Sequence, residues 1–124
     1  MLKMKTLLFG LALAAAPALA QEAVATAPKA YIVAEIEVID AAAYEGYKSA
    51  AAPMVAKYGG RYLVRGGTVE TIDGAEPRGR VIILEFPSLA AAQTFLRSDE
   101  YRPVAAIREN SAISRLFVVE GMPQ

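Results

Sequence analysis

From Tyr31 to Val38 the chain alternates without a break. Ile32, Ala34, Ile36 and Val38 fall on one face of an extended segment, and Tyr31, Val33, Glu35 and Glu37 fall on the other. A face so uniformly apolar has to be covered, so this segment predicts a β-sheet with at least one packed side. The residues that follow supply the cover. Asp40 is placed as a helix N-cap, with Ile39 and Tyr44 spaced as a hydrophobic staple. Tyr44, Tyr47, Ala51, Met54, Val55 and Tyr58 then recur at helical spacing. Pro53 removes the hydrogen bond to the Ser49 carbonyl and predicts a kink there, and Gly59-Gly60 ends the helix.

Arg61 to Ile72 reads as one long strand broken by Gly66-Gly67, where paired glycines point to a bulge or a close backbone approach. Asp73 to Gly79 is a turn by composition, and Arg80 to Phe86 is a further strand. Ser88 caps a second helix that turns Leu89, Ala92, Phe95 and Leu96 inward; Pro103 opens a short helix through Asn110, and Arg115 to Glu120 is the last strand. This βαββαβ order predicts a ferredoxin-like α+β domain over residues 30–122: a four-stranded antiparallel sheet with helices on one face. The other face then needs a partner, because the strands Arg80–Phe86 and Arg115–Glu120 are apolar on both sides. The expected partner is a second copy, packed sheet to sheet as a homodimer.

The start of the chain has a different purpose. Lys3 and Lys5, the apolar run Leu7–Ala16, Pro17 and the small residues Ala18-Leu19-Ala20 form the pattern of a cleavable secretion signal over residues 1–20. The apolar run is too short to span a bilayer, so no membrane span is expected after cleavage. Residues 21–29, rich in alanine and without a period, read as a flexible leader. The expected product is an exported, periplasmic or secreted domain. Without the two signal lysines it has eleven basic and thirteen acidic residues, a net charge of about −2, which argues against nucleic acid as a partner. The chain has no cysteine and no histidine. Disulfide staples, thiolate or Ser-His-Asp nucleophiles and the usual zinc and haem ligand sets are therefore excluded. No metal or cofactor is expected.

Several linked segments are similar to a known family. Tyr44-x-x-Tyr47, Ala56 to Gly67, Glu85-Phe86-Pro87-Ser88, Ser98-x-Glu100-Tyr101 and Val118-Val119-Glu120-Gly121 resemble, in order, family 1330 of the domains of unknown function. The resemblance runs from about Ala30 to Met122 and implies membership of the dimeric α/β-barrel superfamily. It implies a fold and a dimer, with no activity to carry over.

The candidate chemistry rests on a few polar residues. Glu35 and Glu37 share a strand face that Glu85 can join, either as carboxylates able to act as general acid or base or as a charged rim paired to Arg61, Arg65 or Arg80. Arg65 beside Gly66-Gly67 suits bidentate binding of a carboxylate or phenolate, or else marks a bulge. Tyr47 sits on a tyrosine stripe whose hydroxyls need partners if buried, and Tyr101 follows a helix break. The leading expectation is a small-molecule ligand, aromatic or a carboxylate, between sheet and helices, where Tyr47, Arg65, Tyr101 and Glu35 would converge, with Glu85 as a further binding candidate. The alternatives are a cofactor-free oxygenase or isomerase of phenolic or quinone-like substrates with Glu35 as base, and a structural or partner-binding dimer with no pocket.

Overall fold

The computed structural model describes residues 27–124, so the signal and most of the leader lie outside the described residues. The elements follow the predicted order: β1 (Ala30–Val38), α1 (Ala41–Lys57), β2 (Arg61–Arg65), β3 (Arg80–Phe86), α2 (Leu89–Arg97), α3 (Arg102–Ser111) and β4 (Ala112–Glu120). The strands form one antiparallel sheet in the order β2-β3-β1-β4, so the first strand of the chain lies inside the sheet with β3 and β4 on either side. This is the ferredoxin-like α+β arrangement.

The alternation in β1 sets the two faces. Ala30, Ile32, Ala34 and Ile36 are all buried, facing the helices with Ile82, Leu84 and Phe86 of β3. Tyr44, Ala51 and Val55 of α1, Ala92 and Phe95 of α2, and Val104 of α3 close the core from the other side. Its aromatic centre is a chain of ring contacts. Phe86 stacks on Phe95 at 5.4 Å, and Phe95 meets Tyr101 at 4.5 Å between ring centres. Ring pairs at such separations add to the area they bury.

Local signals explain where the elements begin and end. Asp40 accepts a hydrogen bond from the Ala43 amide at 3.1 Å, as an N-cap should. Ile39, however, is 64% exposed, so the predicted staple does not close. At the other end the Gly59 amide bonds to the Ala56 carbonyl and the Gly60 amide to the Val55 carbonyl, with Gly59 at φ 87°, which is a Schellman motif. Gly60 is required for another reason: a Cβ there would sit 2.5 Å from the Phe86 ring. The helix continues through Pro53, and Pro53 and Ser49 are both exposed, so water can satisfy the orphaned carbonyl. Ser88 caps α2 through the Ala91 amide at 3.0 Å.

Two boundaries differ from the sequence-based expectation. The strand expected over Arg61–Ile72 stops at Arg65. Gly66, at φ 70°, turns the chain away, and residues 66–79 run as a loop that returns through Gly79 at φ 79°. The last strand begins at Ala112, three residues earlier than expected, because β4 follows α3 directly and pairs with β1 along its whole length. The end of the leader is also tied down, since the Gly121 amide donates to the Lys29 carbonyl at 2.7 Å.

Candidate functional site

The residues that could do chemistry are divided between the two sheet faces. On the open face, away from the helices, Glu35 accepts from the Arg115 Nε at 3.0 Å and from the Arg78 backbone amide at 2.9 Å. Glu37 pairs with Arg78. Glu85 binds the Arg61 Nε at 2.9 Å and lies 3.6 Å from the Lys29 Nζ. These arginine contacts hold the carboxyls of Glu35 and Glu85 below the ordinary carboxylate pKa, Glu35 through Arg115 first and Glu85 through Arg61. An acid held ionised in this way is a poor proton acceptor at neutral pH.

The helix-facing side holds a cavity between the sheet and α1, with Tyr101 at one wall. The space open to a water-sized molecule is about 40 Å³, enough for roughly two or three waters. Strand β1 gives the apolar back wall through Ile32, Ala34 and Ile36, while Tyr44, Tyr47, Tyr62 and Tyr101 supply aromatic sides. Among the described residues, the charged ones lining it are Lys48, Arg65 and Arg80, with no aspartate or glutamate.

A one-residue irregularity puts Arg65 there. With regular alternation, Arg65 would share a face with Arg61, which pairs with Glu85 on the open side. The register instead shifts between Tyr62 and Val64, so that Val64 opposes Ile83 and Arg65 opposes the buried Ile82. Leu63 is the extra residue, and the bulge re-aims every later side chain. Arg65 thus joins Tyr62 on the cavity side, with its guanidinium carbon 4.4 Å from the centre of the Tyr62 ring, a cation–π contact. Arg80 approaches from β3 and donates from Nη1 to the Tyr44 hydroxyl at 3.2 Å. Its guanidinium lies against the backbone of Gly66, where any side chain would collide with it. Neither Arg65 nor Arg80 has a carboxylate partner among the described residues.

Deeper in, the hydroxyls of Tyr47 and Tyr101 lie 2.8 Å apart. Tyr101 is held by the chain break before it: its amide donates to the Ser98 hydroxyl at 3.1 Å, and its ring is only 3% exposed. Burial, reinforced by Tyr101, pushes the Tyr47 hydroxyl well above the usual tyrosine pKa, so it stays protonated. Burial raises Tyr62 as well.

The predicted site residues therefore separate. Tyr47, Arg65 and Tyr101 meet at the cavity, whereas Glu35 and Glu85 lie on the opposite sheet face and do not. The expected convergence of Glu35 with the other three fails because period-two alternation sends Glu35 away from Ala34 and Ile36. Glu35 is also paired with Arg115 rather than with any of the arginines expected from the sequence. Sequence reasoning missed Arg80 and Lys48 as cavity residues, and it missed Arg108 altogether. Arg108 had a readable signal: it shares one helical stripe with Val104 and Ser111, and all three are buried.

The fold and the site together define a ferredoxin-like α+β domain with a tyrosine- and cation-lined cavity beneath its helices. A family model, Domain of unknown function (DUF1330), matches residues 29–122, and the chain belongs to that family. No curated protein matches it. Among solved structures, the RPA0582 protein of unknown function from Rhodopseudomonas palustris is similar at 22% identity and a TM-score of 0.63, over 78% of this chain and 85% of that one. A conserved protein of unknown function from Bacteroides thetaiotaomicron, described as a possible oxidoreductase, gives 17% and 0.50, over 77% and 99%. SnoaB, a cofactor-independent oxygenase from Streptomyces nogalater, gives 14% and 0.47, over 79% and 97%. At these identities the similarity concerns the fold.

Proposed function

We propose that the chain is an exported homodimer whose subunits each bind a small organic anion, an aromatic or aliphatic carboxylate or a phenolate, in the cavity between sheet and helices. The observation that carries this reading is the charge of the cavity lining. Lys48, Arg65 and Arg80 reach one tyrosine-walled space that no acidic residue enters. Two of those cations lack a carboxylate of their own among the described residues. Guanidinium groups of this kind bind carboxylates or phenolates through charge-assisted hydrogen bonds, and the tyrosines favour a flat ligand. The free space is far below the roughly 300–1,000 Å³ of ordinary ligand pockets, so a ring-sized ligand enters by moving the exposed Arg65 and the partly exposed Lys48 at the mouth.

Calorimetric titration of the purified chain with benzoate at low ionic strength tests the site. Binding is expected, with a loss in Arg65→Ala and Arg80→Ala and none in Glu85→Gln, whose carboxyl lies on the other face. Benzoate affinity equal in all four proteins would place binding elsewhere.

Dimerisation is supported by the open sheet face, where Ile113, Phe117 and Val119 are each more than two-fifths exposed on alternate positions of β4. Export is supported by the basic-apolar-small pattern of residues 1–20. An exported, processed chain begins at Gln21, which amino-terminal sequencing of the protein recovered outside the cytoplasm can read.

A further inference from the structure

Arg108 is the single charged side chain in the buried class among the described residues, at 8% exposure. Its Nη1 donates to the Ser114 hydroxyl at 2.6 Å, and its guanidinium carbon lies 5.8 Å from the centre of the Tyr47 ring. Among the described residues its Nε has no hydrogen-bond partner, and no carboxylate pairs with it. Keeping a cation in such a place is costly unless neighbouring oxygens compensate. Besides the Ser114 hydroxyl, the oxygens acting on it are those of the tyrosine pair.

Counting protons shows what that pair can offer. Two hydroxyls carry two protons, and the 2.8 Å contact between Tyr47 and Tyr101 uses one of them. The second has no acceptor among the hydrogen bonds of the described residues. Arg108 cannot take it, because a guanidinium only donates. Tyr47 and Tyr101 both line the cavity.

We infer that the tyrosine pair backed by Arg108 is a second subsite, which accepts an oxygen of the ligand. The ligand class is then an oxo-acid: its carboxylate meets Arg65, Arg80 and Lys48 towards the mouth, and a carbonyl or enolate oxygen takes the spare proton at depth. This rests on the anion-binding reading above and adds the second oxygen to it. Arg108 acts here as a positioning residue. It fills the acceptor side of the tyrosine oxygens with positive charge, and so turns the remaining proton towards the cavity.

Two pairs of acids isolate the second oxygen: 4-oxopentanoate against its isostere 4-methylpentanoate, and 4-formylbenzoate against 4-methylbenzoate, which simply lacks that oxygen. In at least one pair the oxo member should bind about tenfold tighter, the worth of one well-placed hydrogen bond. The double replacement Tyr47→Phe, Tyr101→Phe should reduce that preference to within about twofold while the methyl acids bind as before. Arg108→Gln should do the same, because its amide carbonyl gives the spare proton an acceptor inside the protein; it also keeps the test open if the double variant folds poorly. Equal binding of both members in both pairs overturns the subsite and leaves the cation-lined site standing. Failure of all four acids to bind overturns both.

Discussion

The hydroxyl of Tyr47, in the middle of α1, lies 2.8 Å from that of Tyr101, 54 residues later at the entry to α3. This bond ties the longest helix to the junction of the other two, so the cavity wall and the packing of the helices depend on the same atoms. Tyr47→Phe and Tyr101→Phe should each cost about 0.5–1.5 kcal/mol, the usual net value of one such bond. The double variant should cost less than the two singles together, since each single already loses the shared bond. A urea-denaturation double-mutant cycle measures the difference.

Arg108 should behave unlike its neighbours. A buried cation without a counter-ion contributes little net stability, and an apolar residue of similar length can do as well or better. Arg108→Met is expected to unfold at a urea midpoint no lower than that of the parent chain, while losing preference for oxo-acids. Ser114, left without its donor, is only partly buried and can turn to water. Arg108→Ala, which empties the same space, should be less stable than Arg108→Met by about 1–3 kcal/mol.

Gly66 and Gly74 both have positive φ, 70° and 76°, but only Gly66 touches the site. A Cβ at Gly66 would lie 2.7 Å from the Arg80 guanidinium, whereas at Gly74 it would meet nothing within 4 Å. Alanine at either should strain the backbone by about 1–2 kcal/mol. Only Gly66→Ala should also weaken benzoate binding, by displacing Arg80. Comparing the thermal midpoints and the affinities of the two variants separates strain from displacement.

Most of the fold was legible because its signals are local. Alternation in β1, the caps at Asp40 and Ser88, and the glycines after Tyr58 each act within a few residues. The site was less so. Tyr47, Arg65 and Tyr101 were identified by residue type, but what brings Arg65 to the cavity is a bulge at Leu63, defined only against the register of β3. Glu35 looked catalytic as one of a set of nearby acids. Its strand position already turned it away from the helices, and Arg115, 80 residues later, neutralises it. Arg108 was overlooked because a lone arginine in a short helix reads as solvated until its stripe is followed from Val104 to Ser111.

Stability should fall at both extremes of pH. Glu35, Glu85 and Glu100 have pKa values below their ordinary 4.5, held there first by Arg115, Arg61 and Lys57 respectively. A lowered carboxylate stabilises the folded chain above its unfolded pKa, and that contribution is lost as pH falls through the folded value. The acid limb therefore begins below about pH 4.5, and Glu35→Gln should make it shallower. Tyr47 and Tyr62 are raised above 10.0, first by burial, so their contribution is complete below that pH and is lost as pH climbs through their folded values. Phenolate absorbance followed alongside circular dichroism should show these tyrosines ionising only as the chain unfolds. Their ionisation in a fully folded chain would contradict the buried cavity wall.

The open face of the sheet gives the test of assembly. Phe117 is 43% exposed and lies opposite Val33 across the β1–β4 ladder, with Ile113 at 46% and Val119 at 47% on the same strand face. The Glu35–Arg115 pair lies among them, and the Glu85–Arg61 pair is on the same face towards the opposite edge of the sheet, so the face has an apolar strip along β4 and paired charges beside it. A dimer with a two-fold axis through this face would bury it once in each subunit. The purified chain should sediment as a dimer at micromolar concentration, with a melting temperature that rises with concentration. Phe117→Glu adds a charge to each half of the interface and should give a monomer of unchanged far-ultraviolet dichroism, whose melting temperature no longer depends on concentration. A parent chain that sediments as a monomer at the same concentration would show that this face is stable against water alone, and the dimer would have to be abandoned.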